Sequence, residues 1–335
     1  MVSEQLAIGI DLGGTKTSTA LVDSSGEITV QHCQETHATE GPEAVIGRML
    51  DAARRVMAQA EVTPTQVAAV GIGAPGPLDI ETGIVMTPPN LPHWDRVPLK
   101  QLIEDGLGIT AFVENDANAA ALGEHRFGAG RGTEHMLYVT VSTGIGGGLI
   151  LDGKLYHGAS GMAGEIGHTT IIPYGPLCGC GNRGCLESLA SGTAIARRAR
   201  ECVTRGVPTL MAKLAGGDLG RITAELVAEA AGQGDAEAQD ILAEAMNYLG
   251  IGVANLVNLF NPQLIVIGGG LTNIGETLFG PVRRAIERRA FPTSVRAVRV
   301  VRAALGDSAG VLGAAAVALA QISWPHISNE RLLPA

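Results

Sequence analysis

A short stretch rich in sulfur places the strongest limit on how this chain can fold. His168 is followed by Cys178, Cys180 and Cys185 within a glycine-rich sequence. Three thiolates and one imidazole form a closed tetrahedral ligand set for zinc, with no position left for water. We therefore expect a structural zinc ion that pins this loop. Disulfide bonds or ordinary buried thiols are the alternatives, but the cysteine count of five is odd, which argues against disulfides. The C-x-C-x4-C spacing is not that of a zinc finger, so nucleic acid as a partner does not follow from it.

Length and composition favour two domains and argue against several classes of function. A chain of 335 residues is too long for one ordinary core. The formal net charge of −9, without a basic run, argues against nucleic acid as a partner. No signal peptide is apparent after Met1, and the longest apolar run, residues 309–322, is too short to span a bilayer. We expect a cytoplasmic protein without a membrane partner.

Two stretches share the order strand, glycine-and-threonine turn, strand. Residues 11–16 (DLGGTK) lie between two strand-like runs, and residues 142–148 (STGIGGG) lie between two more. We name them the first glycine tip and the second glycine tip. They are interpreted as a degenerate internal repeat, with one copy opening each domain of an α/β protein. A coincidence between two glycine-rich hairpins is the alternative.

The boundary between the two domains is not marked by a low-complexity linker. We expect a small N-terminal domain formed by residues 1–118 and by residues 307–322, an alanine-rich final helix that must pack closely on another element. Residues 119–306 form the expected large domain, which contains the zinc loop. The polar, proline-containing residues 323–335 are expected to form a mobile tail.

Both glycine tips are candidate phosphate-binding sites, because successive backbone N–H groups in such turns form an anion-binding concavity. Lys16 could neutralise part of a phosphate or point to solvent, while Asp11 suits a Mg²⁺ ion held through water. The candidate donors are Gly13, Gly14 and Thr15 in the first glycine tip and Thr143, Gly144 and Gly146 in the second. Either hairpin alone could be a structural turn, and neither matches a P-loop.

Asp116 is the candidate general base. A strand-like run, residues 111–114, ends in Asn115 and Asp116, and a helix-forming stretch follows. Asp116 would therefore lie at the carboxyl end of a strand, where open α/β sheets bind ligands. Phosphoryl transfer needs a carboxylate that accepts the proton of the attacking hydroxyl, and Asn115 could orient that hydroxyl. The alternative is that Asp116 only caps the helix.

Two further carboxylates, Glu165 and Glu187, bracket the zinc loop. A pair of carboxylates could indicate a glycosidase. A hydrolase does not need two phosphate-binding tips, whereas carboxylates also accept paired hydrogen bonds from neighbouring sugar hydroxyls. We therefore favour sugar binding by both residues within a phosphate-transferring enzyme.

Five motifs taken together resemble the ROK family of bacterial sugar kinases, within the actin and hexokinase-like superfamily. They follow the family's order and comprise residues 11–16 (DLGGTK), 114–118 (ENDAN), 142–148 (STGIGGG), 164–168 (GEIGH) and 178–187 (CGCGNRGCLE). The resemblance implies two ribonuclease-H-like α/β domains flanking a cleft, which close over the sugar. Some members are repressors with an N-terminal helix-turn-helix, for which the chain before the first hairpin leaves no room, so we expect an enzyme.

The resemblance also implies an activity and the residues that serve it. It implies an ATP- and Mg²⁺-dependent hexose kinase of glycolysis that phosphorylates glucose at its 6-hydroxyl, with Asp116 as the base. The implied sugar ligands are Gly76, Asn90, Asn115, Asp116, Glu165, His168 and Glu187. One ring nitrogen of His168 would bind zinc and the other would face the sugar, while Gly269 and Gly270 would approach the nucleotide. N-acetylmannosamine, N-acetylglucosamine or fructose as acceptor, and a sugar sensor without turnover, are the alternatives; a homodimer or higher homo-oligomer is expected.

Overall fold

The protein, represented by a computed structural model, is α/β and divides into two compact units. The structure describes residues 5–323. The first unit comprises Met1–Phe127 and Asp307–Ala335, and the second comprises Gly128–Gly306. The units divide after Phe127, so the helix that begins at Asp116 lies in the first unit, whereas the expected division came after residue 118. Of the expected mobile tail, residues 324–335 lie outside the described residues.

The first unit is built on one five-stranded sheet with the strand order β3-β2-β1-β4-β8. Its strands are β1 (Leu6–Leu12), β2 (Lys16–Val22), β3 (Ile28–Glu35), β4 (Val67–Ala74), β5 (Leu78–Asp79), β6 (Ile84–Val85), β7 (Val97–Pro98) and β8 (Ala111–Asn115). Its helices are α1 (Pro42–Gln59), α2 (Leu99–Leu107), α3 (Asp116–Arg126) and, at the end of the described chain, α11 (Ala309–Ser323). The short strands β5, β6 and β7 form a separate three-stranded sheet.

The second unit repeats this plan with the strand order β11-β10-β9-β12-β13. Its strands are β9 (Met136–Val141), β10 (Ile145–Leu151), β11 (Lys154–Leu155), β12 (Leu264–Gly268) and β13 (Arg299–Arg302). Its helices are α4 (Leu186–Ala190), α5 (Gly192–Thr204), α6 (Leu210–Leu214), α7 (Ala224–Gly232), α8 (Ala236–Phe260), α9 (Glu276–Arg289) and α10 (Pro292–Ala297).

The internal repeat expected from the two glycine tips is confirmed by the pairing of the strands. In the first unit β1 pairs antiparallel with β2 and parallel with β4. In the second unit β9 pairs antiparallel with β10 and parallel with β12. Each glycine tip therefore joins two antiparallel strands, β1 to β2 in the first unit and β9 to β10 in the second. The first strand of each hairpin pairs on its other edge with a parallel strand, β4 or β12.

The alanine-rich helix α11 packs against β1 and β4 with almost no space between the backbones. A Cβ atom at Gly9 would overlap Val311 O, and one at Gly71 would overlap Ala314 O. A Cβ at Gly313 would overlap the backbone of Ala119 in α3. Only glycine permits so close an approach. The expectation that this helix packs closely on another element is confirmed.

Some elements differ from the sequence-based expectation. Residues 295–303, expected as one strand, form the end of α10 followed by β13, because Pro292 starts a helical turn at its first position. Strand β3 and the two-residue strands of the small sheet were not expected. Within the described residues, no helix combines the length and the apolar character that a membrane crossing requires.

Candidate active site

The first glycine tip is a tight turn that lies beside Asn90. The N–H of Gly13 donates to Lys16 O at 3.1 Å and closes the turn. A Cβ atom on Gly14 would lie 2.7 Å from Asn90 O and 3.0 Å from Asn90 Cβ. The structure thus brings a candidate phosphate donor next to a candidate sugar ligand, and the missing side chain of Gly14 makes that approach possible.

Asp11 at the end of β1 lies close to Asp116 at the start of α3. A Cβ atom on Gly73, between them, would be 3.8 Å from Asp116 Cα and 3.9 Å from Asp11 Oδ1. Burial, and secondly the charge of Asp116, raises the pKa of Asp11 to about 6, against the opposing effect of Lys16. The fold therefore places the carboxylates of Asp11 and Asp116 close enough that the negative charge of Asp116 disfavours ionisation of Asp11.

Asn115, and not Asp116, occupies the cap position of α3. Its Oδ1 accepts hydrogen bonds from the N–H groups of Ala117 at 3.0 Å and Asn118 at 3.2 Å. Asp116 is exposed, and its Oδ1 accepts from the N–H of Ala117 at 2.7 Å. A Cβ on Gly76 would lie 3.4 Å from Asn115 Nδ2, so these two candidate sugar ligands are neighbours.

The thiol and imidazole groups singled out in the sequence come together in the second unit. The ligand atoms of His168, Cys178, Cys180 and Cys185 all lie within 4.8 Å of one another. Cys178 Sγ is 3.6 Å from His168 Nδ1, and Cys180 Sγ is 3.7 Å from Cys185 Sγ. All five cysteines fall within the described range and are free, so the disulfide alternative is wrong. These four residues, named here the thiol cluster, could hold one metal ion.

The burial of the thiol cluster disfavours thiolates unless a cation compensates their negative charge. Burial, with hydrogen bonds among the sulfurs, raises the pKa of Cys185 to about 12 and also raises that of Cys178. A backbone hydrogen bond from Asn182 lowers the pKa of Cys180. A bound metal ion would favour all three thiolates, because a coordinated thiol is deprotonated.

Two candidate sugar ligands, Glu165 and Glu187, lie beside the thiol cluster, and a third, His168, belongs to it. His168 Nε2, on the ring side opposite Nδ1, lies 3.9 Å from Glu165 Oε2. Glu187 Oε1 lies 3.8 Å from Cys178 Sγ, and Glu187 Oε2 accepts the N–H of Ile145 at 3.0 Å. One nitrogen of His168 thus faces the sulfurs while the other faces a carboxylate.

The second glycine tip is held by the start of α5 and by Glu187. Thr143 O accepts from Thr193 Oγ1 at 2.8 Å, and a Cβ on Gly144 would lie 2.5 Å from Glu187 Oε2. Gly144 therefore makes room for a carboxylate, a role the sequence did not suggest. Gly146 pairs with Thr140 in the ladder of β10 and β9, so it lies in the strand and not in the turn.

The glycines after β12 pack beside the second glycine tip. Gly269 has a φ of +86°, and a Cβ there would lie within 2.4–2.8 Å of the backbone of Val141. A Cβ on Gly270 would lie 3.9 Å from Ser142 Oγ. The structure therefore brings together, within the second unit, the candidate nucleotide residues from two distant parts of the sequence.

A cavity that the sequence did not indicate adjoins the turn after Gly270. Its volume is about 610 Å³, within the range of small-molecule sites. Its apolar lining comes mainly from α7 and α8 and includes Ala231 and Leu242. Residues that follow the glycines complete the lining, among them Asn273, Ile274 and Arg284. The glycine run after a buried strand was the available signal, but α7 is far from it along the chain.

Comparison with known proteins gives a consistent result. The sequence matches the ROK family over residues 7–321. It is 42% identical to a glucokinase of Thermotoga maritima over 92% of this chain and 96% of that protein. It is 34% identical to a xylose repressor of Caldicellulosiruptor bescii over 95% of this chain and 79% of that protein.

A solved structure extends the similarity to three dimensions. The crystal structure of a ROK family glucokinase from Streptomyces griseus, in complex with glucose and AMPPNP, has a TM-score of 0.78 and 38% identity. The similarity covers 92% of this chain and 98% of that one. The motifs that resemble the ROK family therefore lie on the corresponding fold, and this chain belongs to the ROK family.

Proposed function

We propose that this protein is an ATP-dependent glucokinase, a phosphotransferase that acts on the 6-hydroxyl of glucose. The observation that carries the proposal is an exposed carboxylate, Asp116, on the first residue of α3 at the carboxyl end of β8. It occurs in a chain 42% identical to a glucokinase over almost its whole length. The relative crystallised with glucose and AMPPNP supports the same pair of substrates.

In the proposed reaction Asp116 accepts the proton of the 6-hydroxyl. The hydroxyl oxygen forms a bond to the terminal phosphorus of ATP, and the bond from that phosphorus to the bridging oxygen breaks. ADP departs with the electron pair of the broken bond. Such transfers need positioning and charge neutralisation more than covalent help from the protein. Asn115, fixed by its two bonds to α3, orients the hydroxyl.

We assign the site of a hydrated magnesium ion to Asp11. The adjacent carboxylate of Asp116 and the raised pKa of Asp11 describe a pocket where negative charge is under-compensated, which fits a hard cation with oxygen ligands. When bound, Mg²⁺ neutralises charge on the phosphate oxygens. We assign the phosphates to Lys16 and the N–H groups of Gly14 and Thr15 in the first glycine tip, and to the N–H groups of Thr143 and Gly144 in the second. The N–H of Gly13 closes the turn onto Lys16 O, and Gly146 lies in β10, so neither is assigned a phosphate.

We propose zinc as the ion of the thiol cluster. Bonds of about 2.3 Å to sulfur and about 2.0 Å to nitrogen, in tetrahedral geometry, separate two sulfurs by about 3.8 Å and a sulfur from the nitrogen by about 3.5 Å. Two separations in the chain match these values, 3.7 Å between the sulfurs of Cys180 and Cys185 and 3.6 Å between Cys178 Sγ and His168 Nδ1, and all four ligand atoms lie within 4.8 Å of one another. His168 and the three cysteines would hold the ion through Nδ1 and the sulfurs, and the ion would fix the loop without taking part in the reaction.

The zinc loop, in this proposal, presents the sugar ligands of the second unit. His168 Nε2, within the cluster, supplies one donor for sugar hydroxyls, and Glu165 and Glu187 beside it supply two acceptors. A metal-bound histidine whose second nitrogen contacts a carboxylate is held in one ring orientation. We assign the remaining sugar contacts to Asn90, Asn115 and the backbone at Gly76.

We assign the cavity beside Gly270 to the base of the nucleotide. Its lining by Ala231, Leu242 and Ile274 suits an apolar ring face, and Asn273 and Arg284 add polar groups to the lining. Gly269 and Gly270 pack beside the second glycine tip, and the helical turn Gly270–Ile274 ends at two residues of the cavity lining, Asn273 and Ile274, which suits a chain of phosphates leading from one to the other.

A coupled assay of ADP release with glucose tests the proposal. Asp116→Asn keeps the shape of the side chain but removes the base, so kcat should fall by about 10²–10⁴-fold. The dissociation constant of glucose should change little, because hydrogen bonding is largely retained. Asp51→Asn, which changes an exposed aspartate of α1, is the matched control and should keep full activity. Full turnover in Asp116→Asn would exclude this residue as the base.

The xylose repressor similarity favours one further candidate, a sugar-binding protein without turnover. It predicts that glucose or xylose binds in calorimetry while no ADP forms. Measurement of kcat/KM with glucose, fructose, N-acetylmannosamine and N-acetylglucosamine separates the remaining kinase alternatives, because one unpaired buried polar group discriminates strongly.

We also propose a homodimer and a cytoplasmic location with a role in glycolysis, on the strength of the family resemblance. Light scattering during size-exclusion chromatography tests the dimer. Fractionation of the native host tests the location.

A further inference from the structure

Thr36, the residue after β3, forms two hydrogen bonds to the backbone of the first glycine tip. The whole residue is 1% exposed. Its N–H donates to Thr15 O at 2.8 Å, and its Oγ1 donates to Gly13 O at 2.7 Å. One residue therefore holds the carbonyls of Gly13 and Thr15, on either side of Gly14, and it directly follows β3, a strand that is not part of the hairpin.

The hydroxyl of Thr36 takes part in a chain of bonds whose direction is fixed. Thr36 Oγ1 has a single hydrogen, which is given to Gly13 O. The contact of 2.9 Å between Thr17 Oγ1 and Thr36 Oγ1 must then be a bond that Thr17 donates. Thr17 is 2% exposed, so the bond between the hydroxyls of Thr17 and Thr36 is shielded from water, where an unpaired group is costly, and the bond from Thr36 to Gly13 is half-buried.

We name the two bonds from Thr36, to Gly13 O and to Thr15 O, the clamp. The clamp affects the direction of the N–H groups that are candidate phosphate donors. In a trans peptide the carbonyl and the following N–H point in opposite directions. Holding Gly13 O toward Thr36 therefore turns the N–H of Gly14 away from Thr36. A glycine at this position has wide conformational freedom, and the clamp removes that freedom before any ligand binds.

Helix α1 holds the clamp in turn. Arg48 Nη2 donates to Thr36 O at 2.7 Å, and Arg48 Nη1 bonds Glu40 at 2.6 Å. Gln34 Nε2 donates to Arg48 O at 3.0 Å. The N–H, the carbonyl and the hydroxyl of Thr36 are all engaged, and the chain turns directly afterwards at His37, whose φ is +49°.

We propose that Thr36, supported by Thr17 and Arg48, is a positioning residue that sets the affinity of the first glycine tip for the nucleotide phosphates. The proposal rests on the function proposed above, since it takes ATP as the ligand. Thr36 touches neither substrate. It acts by keeping the N–H of Gly14 directed before the phosphates arrive, and so it affects the nucleotide more than the sugar.

The test is Thr36→Val, which removes the hydroxyl and keeps the shape and the backbone bond to Thr15. Loss of the hydroxyl leaves Gly13 O and Thr17 Oγ1 without their partner, so KM for MgATP and the dissociation constant of ADP should rise about 10-fold. KM for glucose and kcat should change less than about twofold, because Thr36 touches neither substrate and acts only through the phosphate donors of the first glycine tip. Thr36→Ser, which restores the hydroxyl, should return the affinity for ADP.

Thr19→Val is the matched control. Thr19 is a buried threonine of β2 whose Oγ1 has no hydrogen-bond partner among the described residues. Removing that hydroxyl should leave the affinity for ADP unchanged. Thr17→Val is a second variant that keeps the bond from Thr36 to Gly13, and it should raise the dissociation constant of ADP about twofold to threefold.

The outcomes separate the failure of this proposal from that of the proposed function. A wild-type protein that forms no ADP and binds no nucleotide would overturn both. An active wild-type protein, together with Thr36→Val that binds ADP equally well, would overturn the clamp alone. Equal rises in KM for both substrates, or no recovery in Thr36→Ser, would also overturn it.

Discussion

At the scale of the residue, several of the glycines matter for what lies where their side chain would be. Gly144 leaves room for the carboxylate of Glu187, and Gly14 leaves room for Asn90. A sequence shows a run of glycines but not the neighbour that needs each one. The residues themselves were therefore predictable, while the particular reason for Gly144 was not.

Asp11 gives a prediction about stability and pH. Its folded-state pKa of about 6 exceeds the ordinary value of 3.8, so the fold binds the proton more tightly than the unfolded chain does. The stability from this group is complete below about pH 4 and is lost as pH rises through about 6. Ionised Asp11 then costs at most about 3 kcal/mol at pH 7, less whatever solvent screening removes.

Asp11→Asn should therefore stabilise the protein at neutral pH while it lowers activity. Without nucleotide or Mg²⁺, its melting temperature should exceed that of the wild type at pH 7, and the difference should shrink toward pH 4. Calorimetric melts at both pH values provide the measurement. An equal difference at both would show that the carboxylate is not strained by burial and by Asp116.

At the scale of the element, α11 depends on the glycines beneath it. Gly71→Ala would drive a Cβ into Ala314 O, so the helix must shift, at a cost of about 1–3 kcal/mol or more. Gly47 in α1 is the matched control, because a Cβ there meets nothing within 4 Å. Gly47→Ala should stabilise by about 0.5–1 kcal/mol. Urea unfolding of both variants decides, and equal effects would contradict the close packing.

The zinc loop is the second element with a specific prediction. The wild type should contain one zinc ion per chain by mass spectrometry of the metal, and Cys185→Ser should lose it. With the loop unpinned, KM for glucose should rise about 10-fold or more, since sugar ligands held by a metal site lose their orientation. Cys33→Ser, at an exposed cysteine of β3, should keep the metal. A zinc-free wild type with full activity would refute the assignment.

The elements also show what the sequence could and could not predict. Both hairpins and the start of α3 followed from strand runs interrupted by glycine or ending in Asn115. The strands β5, β6 and β7 have two residues each, too few to show a period. The clamp at Thr36 was not predictable, because nothing local marks a threonine as the partner of Gly13, 23 positions earlier.

At the scale of the whole molecule, the class of fold and the family were predictable, and the boundary between units was not. The motifs occur in an order that few chains share, and the strand order of each sheet follows the same plan. The helix α3 could have belonged to either unit on local sequence. Its place is decided by a contact between Gly123 and Gly313, which are far apart along the chain.

The return of α11 to the first unit has a consequence for the order of events during synthesis. Residues 128–306 are contiguous and can complete their core while the ribosome is still at work, since domains generally fold as units. The surface of β1 and β4 at Gly9 and Gly71, which α11 covers in the folded protein, stays exposed until α11 leaves the ribosome. The first unit, although most of it is translated first, therefore completes its fold last. In a nascent chain halted near Gly306, a protease should cleave the first unit more readily than the second.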